Sequence, residues 1–495
     1  MSSKQNPARV RFAPSPTGFL HIGSARTALY DYLLARQTGG SFILRIEDTD
    51  QKRYQDSAEE DFTNALDWLG LFPDEGPAQG GPHSPYRQSL RKDLYRDHAE
   101  QLINNENAFY CFCSSEQLNL VREEQIKRNE TPHYDGSCRN LSREEAAERI
   151  QAGDSHVIRL KVPKSGNTTV TDYLRGEITV ENSTLDDMIL IKSNGFAVYH
   201  LAAIVDDYLM GITHVIRGSE WLPTFPIHAL IYRAFGWKEP YWVHLSVLLK
   251  PDGKGKMSKR DTQLAQDQGL PIFTKDMEEL GYIPESVINW IALMGWSYDD
   301  KTEFFTIEDL IKKFSLEKLN PSPAAINFSK LDHFNGLHIR NLAIEDFAAR
   351  IKPWFEKAGF TVDNNNLLQI AAVIQTRTKK LTEVVSMAGF FFQKNIDLTL
   401  DRIISDKLTI SQAAEAAQKI KDLFLKLPEI NGDTAEQPLR DIASDLELKA
   451  GQVFGLLREI LTGQKISPPI FDIIPILGKD LVIQRLDLAI EIFVG

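Results

Sequence analysis

Cysteine is scarce in this chain, with three residues in a length of 495. So small and odd a number excludes a disulfide framework and is typical of a reducing compartment. Long apolar runs are also missing, because no stretch approaches about 18 consecutive apolar residues, the length a membrane-spanning helix needs. The amino-terminal residues lack the apolar core of a secretory signal. We therefore expect a cytoplasmic protein that does not enter a membrane.

Positive charge is in deficit, and the net charge is −12. Because phosphate binding depends on lysine and arginine, this balance argues against a nucleic-acid partner. A basic stripe can nevertheless lie on an acidic body, so the balance does not exclude RNA. The length predicts roughly three domains at about 150 residues each.

The first recognisable unit is strand, helix, strand. Residues 10–13 predict a short strand that ends at Pro14. Apolar residues recur at helical spacing from His21, and Gly39 is a typical helix stop. Residues 41–46 predict a second buried strand. This order predicts a βαβ unit and a parallel sheet.

The rest of the chain changes character twice. A helix capped by Asp56 or Ser57 is expected next. Short strands with charged helix between them, at 156–162 and 177–180, indicate an insertion into the sheet domain. Beyond about residue 330 the pattern becomes helical, with apolar faces at 343–357, 366–376, 410–425 and 451–461. The C-terminal third is therefore predicted to be all-helical.

The first motif extends from Ala13 to Ser24, where the strand turns through two prolines into the helix. Such a turn presents unpaired backbone N–H groups to an anion at the helix N-terminus. His21 and Ser24 lie in the first turn, where their donors can reach phosphate oxygens. Gly23 has no Cβ, so a flat base could lie against the backbone. The alternative is an ordinary turn with a surface histidine.

The second motif is a basic loop at residues 252–260, which contains Lys254, Lys256, Lys259 and Arg260 spaced by Gly253 and Gly255. Glycines keep such a loop mobile, and ammonium groups could stabilise the charge that develops on a leaving pyrophosphate. The alternative is a solvated basic turn. Together, in this order, the two motifs predict a site that polarises the α-phosphate of ATP.

The segments His21-Ile-Gly-Ser24 and Lys256-Met-Ser-Lys-Arg260 resemble the two signatures of class I aminoacyl-tRNA synthetases. Longer segments resemble the bacterial glutamyl-tRNA synthetase family over essentially the whole chain; they lie at 11–18, 45–50, 81–88, 199–202, 205–207 and 217–221. The resemblance implies that glutamate and ATP, the latter with Mg²⁺, form glutamyl-adenylate. The acyl group then passes to the 3′-terminal adenosine of tRNA(Glu).

The resemblance also implies the fold class: α/β, with a Rossmann-type parallel-sheet catalytic domain, an α+β insertion and an all-α C-terminal region. The expected parts are a catalytic first half at 1–107, an acceptor-end-binding insertion at 108–193, a catalytic second half at 194–262, a stem-contact helical region at 263–330 and an anticodon-binding region at 331–495. We expect a monomer.

The implied glutamate pocket can be argued chemically, since two carboxylates and one ammonium require cationic forks and one anion. Arg11 and Arg217 suit the carboxylates, and Tyr199 adds a hydroxyl. Glu47 would receive the α-ammonium, with Ala13 and Ser15 lining the pocket. By resemblance Arg217 faces the side-chain carboxylate, which favours glutamate over glutamine. The alternatives are a surface arginine at Arg217 and a capped, solvent-exposed carboxylate at Glu47.

The other implied roles concern ATP and the acceptor end. Lys259 would be the main catalytic lysine, supported by Lys256, with His21 and Ser24 on the phosphates. Gly23 and Ser258 complete the ATP site. Glu220 and Trp221 would lie near the adenosine or the tRNA end, although Trp221 could instead be a core residue.

Cys111 and Cys113 lie two apart in a strand-like run, so both thiols project from one face. With Cys138 they could hold a structural Zn²⁺, and the same spacing occurs in zinc-containing family members. Tyr134, or else His133, would be the fourth ligand. The alternative is three buried free cysteines.

Arg377, Lys379 and Lys380 are candidate RNA contacts in the helical third, or else a solvated helix end. Two enzymatic alternatives are a glutaminyl-tRNA synthetase and a tRNA-independent nucleotidyltransferase. The sequence leaves open whether tRNA(Gln) is also charged.

Overall fold

The computed structural model of the chain describes residues 6–257, 270–396, 398, 400 and 408–494. The chain divides into two compact units. The first consists of Met1–Glu278 with Val287–Phe328, and the second of Glu279–Ser286 with Ser329–Gly495.

The predicted βαβ unit is present. Strand β1 (Arg9–Phe12) pairs in parallel with β2 (Ser41–Leu44), and helix α1 (Ile22–Thr38) connects them. The helix ends because Gly39 adopts φ 69°, a left-handed conformation that glycine enters without steric cost. The N–H of Gly39 donates to the last carbonyls of the helix. The parallel pairing and the stop signal are therefore confirmed.

The remaining strands, in chain order, are β3 (Ala108–Cys111), β4 (Val157–Leu160), β5 (Asn167–Asp172), β6 (Gly176–Glu181), β7 (Ile189–Ile191), β8 (His214–Gly218), β9 (Tyr241–Leu245), β10 (Leu248–Leu249) and β11 (Ala324–Ala325). One sheet has the order β3-β4-β7 and another the order β6-β5-β9-β8, in which β8 and β9 are parallel. The hairpin β5–β6 falls inside the predicted insertion, yet β5 joins β9 beside Trp242. The domain limits stated above remain a prediction.

The other helices that lie wholly or mostly in the first unit are α2 (Asp56–Trp68), α3 (Lys92–Asn104), α4 (Ser115–Lys127), α5 (Arg143–Gln151), α6 (Tyr199–Leu209), α7 (Phe225–Phe235), α8 (Thr274–Glu279), α9 (Pro284–Ala292) and α10 (Ile307–Lys313). Leu201, Val215 and Trp242 belong to its fully or almost fully buried core. The predicted cap of α2 is wrong, because Gln55 takes the cap position and makes no side-chain hydrogen bond there.

The second unit is helical as predicted. Its helices are α11 (Phe328–Asn341), α12 (Ile344–Lys357), α13 (Asn364–Ile374), α14 (Val384–Ala388), α15 (Ile410–Lys426), α16 (Gly432–Asp445), α17 (Ala450–Thr462), α18 (Ile470–Leu477) and α19 (Lys479–Val494). In α15, Ala413, Ala416 and Ile420 recur on one buried face. Across the described ranges, no helix has the length and apolar character needed to cross a membrane.

Candidate active site

A cavity of about 480 Å³ opens where β1, β2 and β8 end. The carboxyl ends of parallel strands are the usual place for a ligand in an open α/β sheet. The predicted glutamate-binding residues all line it, namely Arg11, Ala13, Ser15, Glu47, Tyr199 and Arg217. Ser24 and Trp221, which were predicted for ATP and the acceptor end, line the same cavity. The structure therefore brings together residues that lie more than 200 positions apart.

Arg217 is buried on β8, and its three nitrogen atoms have different surroundings. Its Nε donates to Nε2 of His244 at 3.0 Å, and Nη1 donates to the hydroxyl of Tyr199 at 3.4 Å. Nη2 has no hydrogen-bond partner within the described part of the chain. Burial lowers the pKa of Arg217 below its usual value, because the charged guanidinium has lost water. A carboxylate bound beside Arg217 could supply the hydrogen-bond acceptor that Nη2 lacks.

Arg11 already has a partner. Its Nε and Nη2 donate to the carboxylate of Asp207 at 3.0 and 3.4 Å, and Nη1 donates to the carbonyl of Ile216. Burial alone would lower the pKa of Arg11, but Asp207 raises it. A guanidinium has five N–H bonds, and these contacts use three of them.

Glu47 is buried at the other end of the same ion-pair network, which Asp207 links to Arg11. Its carboxylate accepts a hydrogen bond from Arg45 at 2.8 Å, and Arg45 also donates to Asp207 at 2.7 Å. Burial raises the pKa of Glu47, while Arg45 acts in the opposite direction. Glu47 therefore remains an acceptor that a ligand ammonium group could share.

An aromatic wall borders the cavity. The rings of Tyr199 and Trp221 stack with centroids 4.0 Å apart. Behind them, Nδ1 of His200 lies 2.8 Å from Nε2 of His228. Burial lowers the pKa of His200 to about 4 and that of His228 well below its usual value, which favours neutral rings for both at pH 7. Trp221 thus has one face against Tyr199 and also borders the cavity.

At the first motif His21 caps its own helix. Its Nδ1 accepts hydrogen bonds from the backbone N–H groups of Gly23 and Ser24 at 3.1 and 3.3 Å, and its Nε2 lies 3.2 Å from Oγ of Ser24. The expectation of unpaired N–H groups is therefore wrong for Gly23 and Ser24. A Cβ on Gly23 would lie 3.0 Å from the His21 ring, so the glycine makes room for this capping ring rather than only for a base.

The basic loop begins as a tight turn. Lys250 donates its N–H to Gly255, and Gly253 donates to Lys250, with φ values of 73° and 83° at Gly253 and Gly255. The glycines are therefore required by backbone conformation at this turn. Nζ of Lys256 lies 3.7 Å from Oε2 of Glu220. The remaining predicted loop residues, Ser258, Lys259 and Arg260, lie outside the described residues.

The predicted metal ligands come together. The sulfur atoms of Cys111, Cys113 and Cys138 all lie within 4.8 Å of one another. Oη of Tyr134 lies 3.4 Å from Sγ of Cys111 and 3.8 Å from Sγ of Cys113. His133 is exposed, and its Nδ1 is 3.0 Å from the carbonyl of Thr131. Three clustered thiols are typical ligands of a structural zinc site, and the Tyr134 oxygen lies beside two of them.

Of the basic cluster predicted in the second unit, one side chain is already in an ion pair and two are exposed. Lys380 forms an ion pair with Asp332 at 2.9 Å and lies over the ring of Tyr282. Arg377 and Lys379 are exposed. These two side chains are the better candidates for RNA contacts.

Sequence reasoning missed several residues of the first unit. His244 and Asp172 hold Arg217, and Lys192 lines the cavity with its Nζ donating to the carbonyl of Thr49. A signal for His244 was present, because it is a polar residue in the apolar strand 241–245.

Residues 7–333 match the family of catalytic domains described as tRNA synthetases class I (E and Q), and residues 346–490 match the anticodon binding domain family. A glutamate–tRNA ligase of Dehalococcoides mccartyi is 42% identical over 98% of this chain and 97% of its own. One of Borreliella burgdorferi is 41% identical over 98% of each chain.

A crystal structure of a glutamate tRNA ligase from Elizabethkingia meningosepticum, in complex with its amino acid, is similar over 98% of this chain and 99% of that one. The TM-score is 0.90 at 36% identity. With the site geometry, these matches show that the chain belongs to the glutamate–tRNA ligase family of class I tRNA synthetases.

Proposed function

We propose that the chain uses ATP to attach L-glutamate to the 3′ end of tRNA(Glu). The observation that carries this proposal is the unpaired Nη2 of the buried Arg217, which faces no carboxylate of the described chain at ion-pair distance. Arg11 and Glu47 line the same cavity with the opposite charges that the α-carboxylate and the α-ammonium of an amino acid require. The cavity thus complements a small molecule with two anions and one cation.

In this arrangement Arg217 binds the side-chain carboxylate, and the two remaining N–H bonds of Arg11 serve the α-carboxylate. Tyr199 donates its hydroxyl, and burial raises its pKa, so the proton stays on oxygen at pH 7. Glu47 receives the α-ammonium. Ala13 and Ser15 form the wall beside the substrate.

Activation joins an oxygen of the α-carboxylate to the α-phosphorus of ATP and releases pyrophosphate, with Mg²⁺ accompanying the nucleotide. Ser24 borders the cavity, so the phosphate site proposed for His21, Gly23 and Ser24 adjoins the amino acid. Lys256, Ser258 and Lys259 would complete it, and the lysines would stabilise charge on the leaving pyrophosphate.

The assignment of Lys259 has its own test. Lys259→Ala is expected to reduce glutamate-dependent pyrophosphate exchange by orders of magnitude, while the KM for glutamate stays within about threefold of the parent value. Pyrophosphate exchange near the parent rate in this variant would remove Lys259 from the catalytic set.

After activation, the glutamyl group passes to a ribose hydroxyl of the terminal adenosine, near which we place Glu220 and Trp221. The second unit would bind the anticodon region through surfaces that include Arg377 and Lys379. We further propose that the protein acts as a cytoplasmic monomer.

A structural zinc ion is part of the proposal, held by Cys111, Cys113, Cys138 and Tyr134. When bound, zinc would tie the end of β3 to the segment between α4 and α5. Arg159 lies over the ring of Tyr134 at 4.1 Å, which would favour a negatively charged ligand set there.

The function is tested by charging purified tRNA(Glu) and tRNA(Gln) with radiolabelled glutamate, each with and without ATP. We expect ATP-dependent labelling of tRNA(Glu). Labelling of both tRNAs would add tRNA(Gln) as a substrate, and the resemblance allows this outcome. Preferential charging with glutamine, or nucleotide turnover that needs no RNA, would contradict the proposal.

A further inference from the structure

Arg217 is hydrogen-bonded to a buried pair of residues that do not line the cavity. His244 lies on β9 and Asp172 at the end of β5, and each has a relative exposure of 0%. Nδ1 of His244 is 2.7 Å from Oδ2 of Asp172, and Nε2 of His244 is 3.0 Å from Nε of Arg217. The three side chains form one continuous row of hydrogen bonds that ends at the cavity.

The chemistry of its two neighbours fixes the proton on His244. An ionised carboxylate can only accept, so Nδ1 of His244 carries the hydrogen that Asp172 receives. The Nε of an arginine can only donate, so Nε2 of His244 carries none. Both contacts therefore require the same neutral tautomer. Burial lowers the pKa of His244, which agrees with a neutral ring at pH 7.

Asp172 is itself held in the ionised form. Its Oδ2 also accepts the backbone N–H of His244 at 3.0 Å, and its Oδ1 accepts the N–H groups of Leu174 and Arg175, both at 3.1 Å. Burial alone would raise the pKa of Asp172, but the contacts with His244 lower it. The row thus begins at a charged acceptor that backbone groups fix in place.

This arrangement decides which donor of Arg217 is left for a ligand. Nε is bonded to His244, Nη1 is oriented by Tyr199, and the guanidinium lies 4.9 Å from the ring centroid of Trp242. We propose that Asp172 and His244 are positioning residues that direct Nη2 of Arg217 towards the side-chain carboxylate of the amino acid. They thereby set the affinity for glutamate and its discrimination from glutamine. This inference rests on the proposed function.

Three variants separate positioning from simple packing. His244→Leu fills space but offers no acceptor to Arg217. His244→Gln has a carbonyl oxygen that can take over from Nε2. In Asp172→Asn, an amide that donates to Nδ1 moves the imidazole proton to Nε2 and turns a donor against Arg217, as in the Asp→Asn change of catalytic triads. The same amide NH2 also replaces the oxygen that accepts the backbone N–H of His244, so this variant loses that hydrogen bond as well. His214→Gln, on β8 and outside the cavity lining, is the matched control.

Steady-state charging of tRNA(Glu) should give KM for glutamate, KM for ATP and kcat. For His244→Leu and Asp172→Asn we expect KM for glutamate to rise about 10- to 100-fold, the effect of losing one hydrogen bond to a charged group. We expect kcat and KM for ATP to stay within about threefold, and selectivity over glutamine to fall. His244→Gln should recover KM for glutamate to within about fivefold of the parent value, as should the control.

Two results would overturn the inference: an unchanged KM for glutamate in folded His244→Leu, or an equal loss in His244→Gln and His244→Leu that also affects KM for ATP. If His244→Leu does not fold, as judged by its thermal transition, the comparison rests on His244→Gln against Asp172→Asn. Failure of the proposed function is seen separately, because the parent chain would then not charge tRNA(Glu) with glutamate at all.

Discussion

Replacing Arg217 by glutamine tests the centre of the proposed site. The glutamine side chain is shorter and neutral, so the variant loses the contact with His244 at 3.0 Å and the placement over the ring of Trp242. It also loses Nη2, which is buried and has no hydrogen-bond partner among the described residues. The surrounding residues remain, so the change removes one charge and one donor fork.

The size of the effect follows from the burial of Arg217, which is 7% exposed. Removing one partner of a buried, hydrogen-bonded charge pair costs about 2–5 kcal/mol. At about 1.4 kcal/mol per tenfold change, kcat/KM for glutamate should fall by roughly 30- to 4,000-fold. Glutamine carries no charge that needs Arg217, so its kcat/KM should fall less or rise.

The assay is tRNA charging with radiolabelled glutamate and with radiolabelled glutamine, and the measured quantity is the ratio of the two kcat/KM values. Arg233→Gln is the control, because Arg233 is exposed on α7 and bonds to Glu239 and the carbonyl of Thr169. A folded Arg217→Gln variant whose kcat/KM for glutamate lies within about fivefold of the parent value would refute the reasoning.

Three further outcomes are expected. Arg485 is 1% exposed and donates to the carbonyls of Leu461, Phe390 and Gln393. Arg485→Leu leaves these carbonyls without their donor and should destabilise the second unit by about 2–4 kcal/mol. Amide hydrogen exchange of α19 in the full chain measures this loss. Burial raises the pKa of Asp31 well above its usual value, so the folded protein favours the protonated carboxyl. The resulting contribution to stability is fully present below the ordinary carboxyl pKa and is lost as pH rises through the folded pKa. Asp31→Asn should therefore gain stability over the parent as pH rises, seen by denaturant titration at several pH values; an advantage that grows towards low pH would contradict this sign. Purified protein supplied with zinc should retain about one ion per chain, and Cys138→Ser should retain much less by elemental analysis; retention of none by the parent would argue against the site.

Features encoded by neighbouring residues were predictable. The glycine stop of α1 was predicted correctly, and the four helical segments with predicted bounds, which correspond to α12, α13, α15 and α17, lie within two residues of their predicted ends. A left-handed stop and a 3.6-residue apolar period are local signals. The cap of α2 was wrong although Asp56 is a good capping residue. A cap depends on where the chain enters the helix, and here that position belongs to Gln55.

Features that need distant partners were not predictable. Nothing near β5 indicates that it pairs with β9, and the row that holds Arg217 depends on that pairing, because Asp172 is 72 residues from His244. Arg11 was recognised as a pocket residue, but its partner Asp207 lies 196 positions away. At the first motif, the capping role of His21 could not be read from the sequence, since a histidine in a turn gives no sign of where its ring points.

If the proposed site is correct, the arrangement of charge around the cavity would let an acidic chain select an acidic substrate. Arg11 lines the cavity but is paired with Asp207, and Arg45 behind it is shared between Asp207 and Glu47. These pairs largely neutralise one another. Arg217 is different because its Nε is bonded to a neutral histidine, and no carboxylate of the described residues pairs with it. In the proposed site, selectivity for an anionic side chain would therefore depend on the neutral acceptor that His244 offers to Arg217. An acidic residue in place of His244 should weaken glutamate binding even though Arg217 remains.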